Sequence, residues 1–213
     1  MPDQLQIRRL RCGAYDENAW IVRAAGAKEC VLVDPGDGLD ALERALAGTE
    51  GRLGAILLTH GHFDHTLAAG PLAAKYGVPV YIHAADLDML EDPARNAYDA
   101  AVAALLSPAD VGARAYPAAD GAAFSVCGLD LRILHTPGHT PGSVCLYAPG
   151  EAALFSGDTL FAMGYGRVDL PGGSERDMYA SLMRLLTLPE DTRVYPGHGG
   201  ETTIGGEKRH YRL

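Results

Sequence analysis

The sequence predicts an α/β fold in which a two-layered β-sheet core is flanked by helices. Three observations carry that prediction. Each half of the chain runs as apolar strand-like segments followed by a helical segment. Strand ends lead repeatedly into glycine-containing loops that hold His or Asp. The 213 residues are 47% hydrophobic, enough to fill the space between such layers. No composition shift, low-complexity linker or short-period repeat divides the chain, so residues 1–213 are expected to form one domain.

Leu5 to Cys12 and Asn18 to Ala24 carry β-branched and aromatic residues and predict strands; Glu29 to Val33 is a short buried-type run stopped by Asp34-Pro35-Gly36. Leu39 to Ala47 predicts a helix, with Leu39, Leu42 and Leu46 at helical spacing and Gly48 at its C-terminus. A strand from Gly54 to Leu58 runs straight into Thr59-His60-Gly61-His62-Phe63-Asp64-His65. Thr66 to Tyr76 reads as helical despite Gly70-Pro71, and Val78 to Ile82 as a strand. The alanine-rich stretch from Asp86 to Leu106, broken at Pro93, predicts two helical pieces over the surface and is the candidate for a mobile lid. Strands follow at Ala123 to Cys127, Leu129 to His135, Ser143 to Tyr147 and Ala152 to Phe155. A helix from Glu175 to Leu186, with Ser174 as N-cap and Asp177 three residues on, precedes a closing strand from Thr192 to Tyr195.

Composition narrows the function. With 18 Lys and Arg against 27 Asp and Glu, the formal net charge of −9 repels phosphate backbones and argues against nucleic-acid binding. No apolar run is long enough to span a bilayer, and the start Met-Pro-Asp-Gln-Leu-Gln lacks the basic and apolar regions of a signal peptide; a cytoplasmic protein without membrane partners is expected. Cys12, Cys30, Cys127 and Cys145 are widely spaced and read as buried thiols rather than disulfides. The oligomeric state is not legible.

Three of the eight histidines fall within His60 to His65, a clustering that neither solubility nor packing requires. In an extended loop His60 and His62 project to the same side and can share one metal, while Asp64 and His65, where the chain turns helical, project elsewhere. One loop can thus serve two adjacent ions with imidazole and carboxylate ligands, a set that suits zinc, iron or manganese. A two-ion site needs further ligands from distant sequence. His139 in Thr136-Pro137-Gly138-His139, Asp158 in Ser156-Gly157-Asp158-Thr159, and His198 in Pro196-Gly197-His198-Gly199 all stand at strand ends beside glycine. His83, His135 and His210 match no such context.

These residues resemble the metallo-β-lactamase superfamily, whose αββα four-layer sandwich carries a His-x-His-x-Asp-His loop followed by His, Asp and His; the resemblance spans nearly the whole chain. It implies one ion at His60, His62 and His139, a second at Asp64, His65 and His198, and Asp158 bridging them. It also implies that Asp34, in Val33-Asp34-Pro35-Gly36, braces the metal loop without ligating. Two divalent ions, zinc first and iron or manganese as alternatives, would lower the pKa of a shared water from about 15.7 toward 7. Asp64 would orient that nucleophile for attack on a carbonyl.

The stretch from Ser156 through Gly166-Arg167-Val168-Asp169 to Gly173 resembles glyoxalase II, in the short bacterial form without the C-terminal helical domain. That resemblance implies a thioesterase cleaving hydroxyacylglutathiones such as S-D-lactoylglutathione to glutathione and a hydroxy acid. Arg167 stands where longer members carry a basic residue contacting glutathione; an internal pair with Asp169 is the competing role. Gly-Arg-x-Asp also resembles the persulfide dioxygenases, whose single iron is held by the equivalents of His60, His139 and Asp158. A lactonase using the same site is the third reading and would require a tyrosine near the metals, with Tyr165 or Tyr195 available. Hydrolysis of β-lactams is not expected, because Asp64 in the loop and Asp158 as bridge match the thioesterase branch.

Overall fold

The computed structural model describes residues 5–97, 100–104 and 111–211. Strands β1 (Gln6–Cys12), β2 (Glu17–Arg23), β3 (Glu29–Val33), β4 (Arg52–Leu57), β5 (Val80–Ile82) and β6 (Arg114–Ala115) form one six-stranded sheet in that order. Strands β7 (Ala122–Val126), β8 (Leu129–His135), β9 (Val144–Ala148), β10 (Ala153–Gly157), β11 (Arg193–Pro196) and β12 (Thr202–Thr203) form a second, in the order β12-β11-β10-β9-β8-β7. Both are mixed: β3 to β6 run parallel to one another, as do β10 and β11, and the other pairings are antiparallel.

Strand alternation builds the layers. In β3, Val31 and Val33 face the second sheet and join Trp20, Leu57, Ile133, Leu146 and Phe155 in the inter-sheet core. Cys30 and Leu32, on the opposite face, pack under helices α1 (Leu39–Ala47) and α3 (Ala69–Tyr76) through Leu42, Leu46 and Leu72. Burial on both faces is why β3 reads as a continuous apolar run. On the far side of the second sheet, Cys145, Leu154 and Val194 meet Met178, Leu182 and Leu185 of α6 (Glu175–Leu185) and Ile204 of α7 (Ile204–Tyr211). The expected αββα sandwich is therefore the fold.

Most predicted elements are present within two residues of their expected bounds. Three stretches differ. The helix expected from Thr66 is two helices, α2 (Phe63–Thr66) and α3, because the Ala68 N–H turns away to the Pro35 and Gly36 carbonyls, 3.0 and 3.1 Å away. Pro71 sits in the first turn of α3, where its missing N–H costs nothing. Between Asp86 and Leu106 the chain forms a 3-10 helix (Ala84–Leu90) and two single-turn helices, α4 (Pro93–Asn96) and α5 (Ala100–Ala103), in place of two longer pieces. Parts of the suggested lid, residues 98–99 and 105–106, lie outside the described residues. The chain also forms β6, β12 and α7, which were not expected.

The four cysteines are free thiols; Cys12, Cys30 and Cys145 are buried and Cys127 is half-buried. Among the described residues no helix is long and apolar enough to cross a membrane.

Candidate metal centre

The polar loops gather where β3, β4, β8, β10 and β11 end, at one edge of the sandwich. Asp34 follows β3, His60 and His62 follow β4, His139 follows β8, Asp158 follows β10 and His198 follows β11. His62 is the N-cap of α2, so Asp64 and His65 project from its first turn, as the loop-to-helix reading required. All of these side chains are buried except that of His198, which is a quarter exposed.

The structure brings the seven expected residues together. One nitrogen each of His60, His62 and His139 lie mutually within 4.8 Å; so do one donor atom each of Asp64, His65 and His198. Asp158 stands between the two groups. Its Oδ1 is 3.4 Å from His65 Nε2, and its Oδ2 is 3.5 Å from His139 Nε2 and 3.7 Å from His198 Nε2. The His198 Nε2 to Asp64 Oδ2 distance is 3.3 Å. Gly197 permits this approach: a Cβ there would collide with Asp158 Oδ1 and would lie 2.6 Å from His65 Cε1.

Hydrogen bonds on the outer side fix which nitrogen of each ring faces inward. Thr59 Oγ1 donates to Asp34 Oδ2 at 2.6 Å and so accepts from His60 Nδ1 at 3.1 Å. His65 Nδ1 donates to Asp34 Oδ2 at 3.1 Å, and His139 Nδ1 to the Arg167 carbonyl at 2.7 Å. The Nε2 atoms of His60, His65 and His139 therefore face into the site. Asp34 lies close enough to His60 and His65 to complete a third candidate ligand group. Its oxygens are already occupied by the Thr59 N–H at 2.7 Å, the Thr59 hydroxyl and His65, so its chemistry here is that of a brace.

This donor set fits divalent ions. His60 Nε2 is buried with no hydrogen-bond partner among the described residues, a cost that a cation would remove. His62 Nδ1 and His139 Nε2 converge to 2.8 Å. Burial, reinforced by His65 and His139, holds the His60 pKa well below its usual value, and burial beside His139 pushes His62 down to about 3. Both are thus the neutral imidazoles that ligation needs. Burial works to raise the Asp158 pKa, but His65, His139 and His198 outweigh it and keep the group ionised. Burial likewise opposes the charged form of His65, and Asp64 and Asp158 override it to raise that pKa.

A family model for the metallo-beta-lactamase superfamily matches residues 12–198. The chain belongs to that superfamily. A protein of Bacillus subtilis named as a probable metallo-hydrolase is 36% identical over 203 residues, covering 92% of each chain. A hydroxyacylglutathione hydrolase of Alkalilimnicola ehrlichii is 41% identical over 183 residues, covering 86% of this chain and 61% of its own. Among solved structures, the B3 metallo-beta-lactamase BLEG-1 superposes with TM-score 0.86 at 37% identity, covering 96% of this chain and 97% of its own. The protein TTHA1623 in a di-iron-bound form gives 0.81 at 40%, covering 95% and 98%. ETHE1 from Myxococcus xanthus gives 0.76 at 28%, covering 96% and 82%. Membership of this superfamily and the two histidine-rich groups make the chain a metal-dependent enzyme of the metallo-hydrolase type.

Other expectations take shape around the site. Arg167 forms a bidentate pair with Asp169, at 2.8 and 2.7 Å, with both side chains more than half exposed. His83 and His135 stack on each other, centroids 4.3 Å apart, and His210 lies against Tyr211. Tyr195 is packed between the sheets against Trp20 and Phe155, whereas Tyr165 is exposed.

Beside the site stand two buried carboxylates that were not anticipated. Asp86, in the 3-10 helix, accepts from Gly61 N at 3.1 Å, Thr140 Oγ1 at 2.6 Å and Gly142 N at 2.7 Å, tying the His60-His62 loop to the His139 loop. Glu17, on β2, sits 3.8 Å from His65 Nδ1. Neither has a local signature, since each acts through partners distant in sequence.

Proposed function

We propose that the protein is a binuclear, glyoxalase II-like thioesterase acting on hydroxyacylglutathiones such as S-D-lactoylglutathione. His60, His62 and His139 would hold one ion, Asp64, His65 and His198 a second, and Asp158 would bridge them. Zinc suits this mixed nitrogen and oxygen set; iron fits as well, and a di-iron form is named for TTHA1623. The observation that supports this reading most is the completeness of both groups around Asp158.

Two such ions supply Lewis acidity and a nucleophilic water at neutral pH. The chain does the rest. Asp64, 3.3 Å from His198 Nε2, would orient the attacking water as a hydrogen-bond acceptor. Asp34 keeps the His60 and His65 rings from rotating. The departing thiolate has a pKa near 8.5, so it leaves without a strong general acid. Arg167 would meet a substrate carboxylate by exchanging Asp169 for it.

A second reading, a mononuclear iron persulfide dioxygenase using His60, His139 and Asp158, is favoured by the Gly-Arg-x-Asp sequence and the likeness to ETHE1. The lactonase reading loses Tyr195, which is buried between the sheets, and would rest on the exposed Tyr165. The deciding experiment is metal analysis of the purified protein with parallel assays of S-D-lactoylglutathione hydrolysis and of oxygen consumption with glutathione persulfide. Two ions and thioester cleavage support the proposal. One iron with oxygen uptake, and no cleavage, overturns it.

A further inference from the structure

The alternation of β1 changes character along its length. Leu5 and Ile7 face the second sheet and extend the inter-sheet core. Arg9 and Arg11 follow on the same face, by the two-residue period, where apolar residues would continue that core. Arg8, on the other face, donates instead to the Ala45 carbonyl of α1 at 3.3 Å. The inner face of the edge strand thus turns cationic as the sandwich opens toward the metal centre.

A cavity of about 480 Å³ occupies that opening, lined by Arg9, Arg11, Tyr15, Asp16, His198 and Gly199. It reaches His198, the most exposed of the seven site residues. Tyr15 stacks edge-on against Phe63 of the metal loop, centroids 5.2 Å apart, and forms the other wall. The two arginines differ. Arg11 is paired with Asp16 at 2.6 Å. Arg9 donates to the Gly199 carbonyl at 3.2 Å, which holds it beside the His198 loop, and among the described residues it pairs with no carboxylate.

We propose that this cleft is a carboxylate subsite in which Arg9 binds the anionic end of the substrate whose thioester is cleaved at the metal centre. The inference rests on the thioesterase reading and adds to it the place on β1 where an anionic end of the substrate would be held. One uncompensated guanidinium, with Asp16 alongside, matches a monoanion; a phosphate dianion would leave excess negative charge in a chain that already carries −9.

The test compares thioesters ending, on the acyl or the thiol side, in a carboxylate or in the isosteric carboxamide. The readout is the kcat/KM ratio of each pair. For the wild type a carboxylate preference of about two- to fivefold is expected, the size of an exposed, well-oriented ion pair. Measured in an Arg167→Gln background, which removes the other guanidinium assigned to a substrate carboxylate, Arg9→Gln should bring the ratio near one, and Arg9→Lys should restore part of it. Arg52→Gln removes the same charge at the opposite end of β4 and should keep the ratio. A wild-type ratio near one, or a preference that survives Arg9→Gln in that background, overturns the proposal. The matching thioethers, which cannot be hydrolysed, are titrated calorimetrically into the metal-loaded protein. If neither thioester is cleaved, the thioesterase reading fails, and the subsite stands or falls on whether the carboxylate thioether binds more tightly than its carboxamide in an Arg9-dependent way.

Discussion

Asp86 offers the sharpest test of how the metal centre is built. Its carboxylate is fully buried and accepts three hydrogen bonds, two from backbone amides on separate loops and one from the Thr140 hydroxyl. Hydrogen bonds to a charged group contribute about 1.5–3 kcal/mol each, so the gross interaction is roughly 5–9 kcal/mol. Desolvation offsets much of that: burial raises the Asp86 pKa, against the three hydrogen bonds that lower it. Removing the carboxylate as Asp86→Ala leaves two buried N–H groups unsatisfied, and a net loss on the order of 3 kcal/mol is expected. Asp86→Asn keeps the shape but turns an amide NH2 toward an N–H or hydroxyl donor, so it should fall between the two.

The loss should not be evenly shared. Gly61 lies between His60 and His62, and Thr140 and Gly142 follow His139 in its turn, so the three contacts of Asp86 fall beside the ligands of the three-histidine group. Loss of such an outer contact typically weakens metal binding about 10–100-fold. Competition with a chromophoric chelator, run beside thermal melts of the metal-free protein, should show Asp86→Asn weakening one of two binding events by that factor. If both events retain wild-type affinity, or weaken equally in proportion to the drop in melting temperature, the assignment of Asp86 to one half of the centre is wrong.

Asp158→Ala should abolish thioester hydrolysis and lower the bound metal from two ions per chain, as measured by elemental analysis; an active variant would remove Asp158 from its bridging role. Chelation should inactivate the wild type reversibly, with activity restored by zinc or iron, and activity that survives exhaustive chelation would contradict the metal-dependent reading. Burial beside Glu29 pushes the Cys127 thiol up to about 11, so at pH 7 only about one part in ten thousand is thiolate. Alkylation of the native protein by iodoacetamide should therefore be slow and rise about tenfold per pH unit until near pH 11; fast alkylation at pH 7 would refute it. Given the likeness to BLEG-1, a chromogenic cephalosporin should be assayed alongside; turnover comparable to that of the thioester would displace the thioesterase reading.

The part of the site legible in the sequence is the part that each loop carries by itself. His60 to His65, Gly138-His139, Gly157-Asp158 and Gly197-His198 each combine donors with a backbone able to bend, directly after a strand. The braces were legible only where resemblance supplied them, as for Asp34. Asp86 lay in a stretch read as surface helix, and its partners Gly61, Thr140 and Gly142 are 25, 54 and 56 residues away in sequence. Strands β6 and β12, two residues each, depend on the neighbouring strand for their existence rather than on their own propensity. Helix α7 was hidden by Gly205 and Gly206 in its first turn. Arg9 and Arg11 did leave a trace, the switch from apolar to cationic at alternate positions of β1.

The two braces divide the labour unequally, and that follows from the order of strands. Asp34 ends β3, the neighbour of β4, so its carboxylate reaches across one strand spacing to Thr59 and, through it, to His60, while also holding His65. Those histidines belong to opposite groups, so Asp34 couples the two halves of the centre. Asp86 follows β5, on the other side of β4, and reaches the β8–β9 turn of the second sheet. It sets the spacing between sheets at one half only. A centre braced in this way can keep its shared edge, at His65 and Asp158, rigid while its open edge, at His198 and the arginine-lined cleft, remains accessible to substrate.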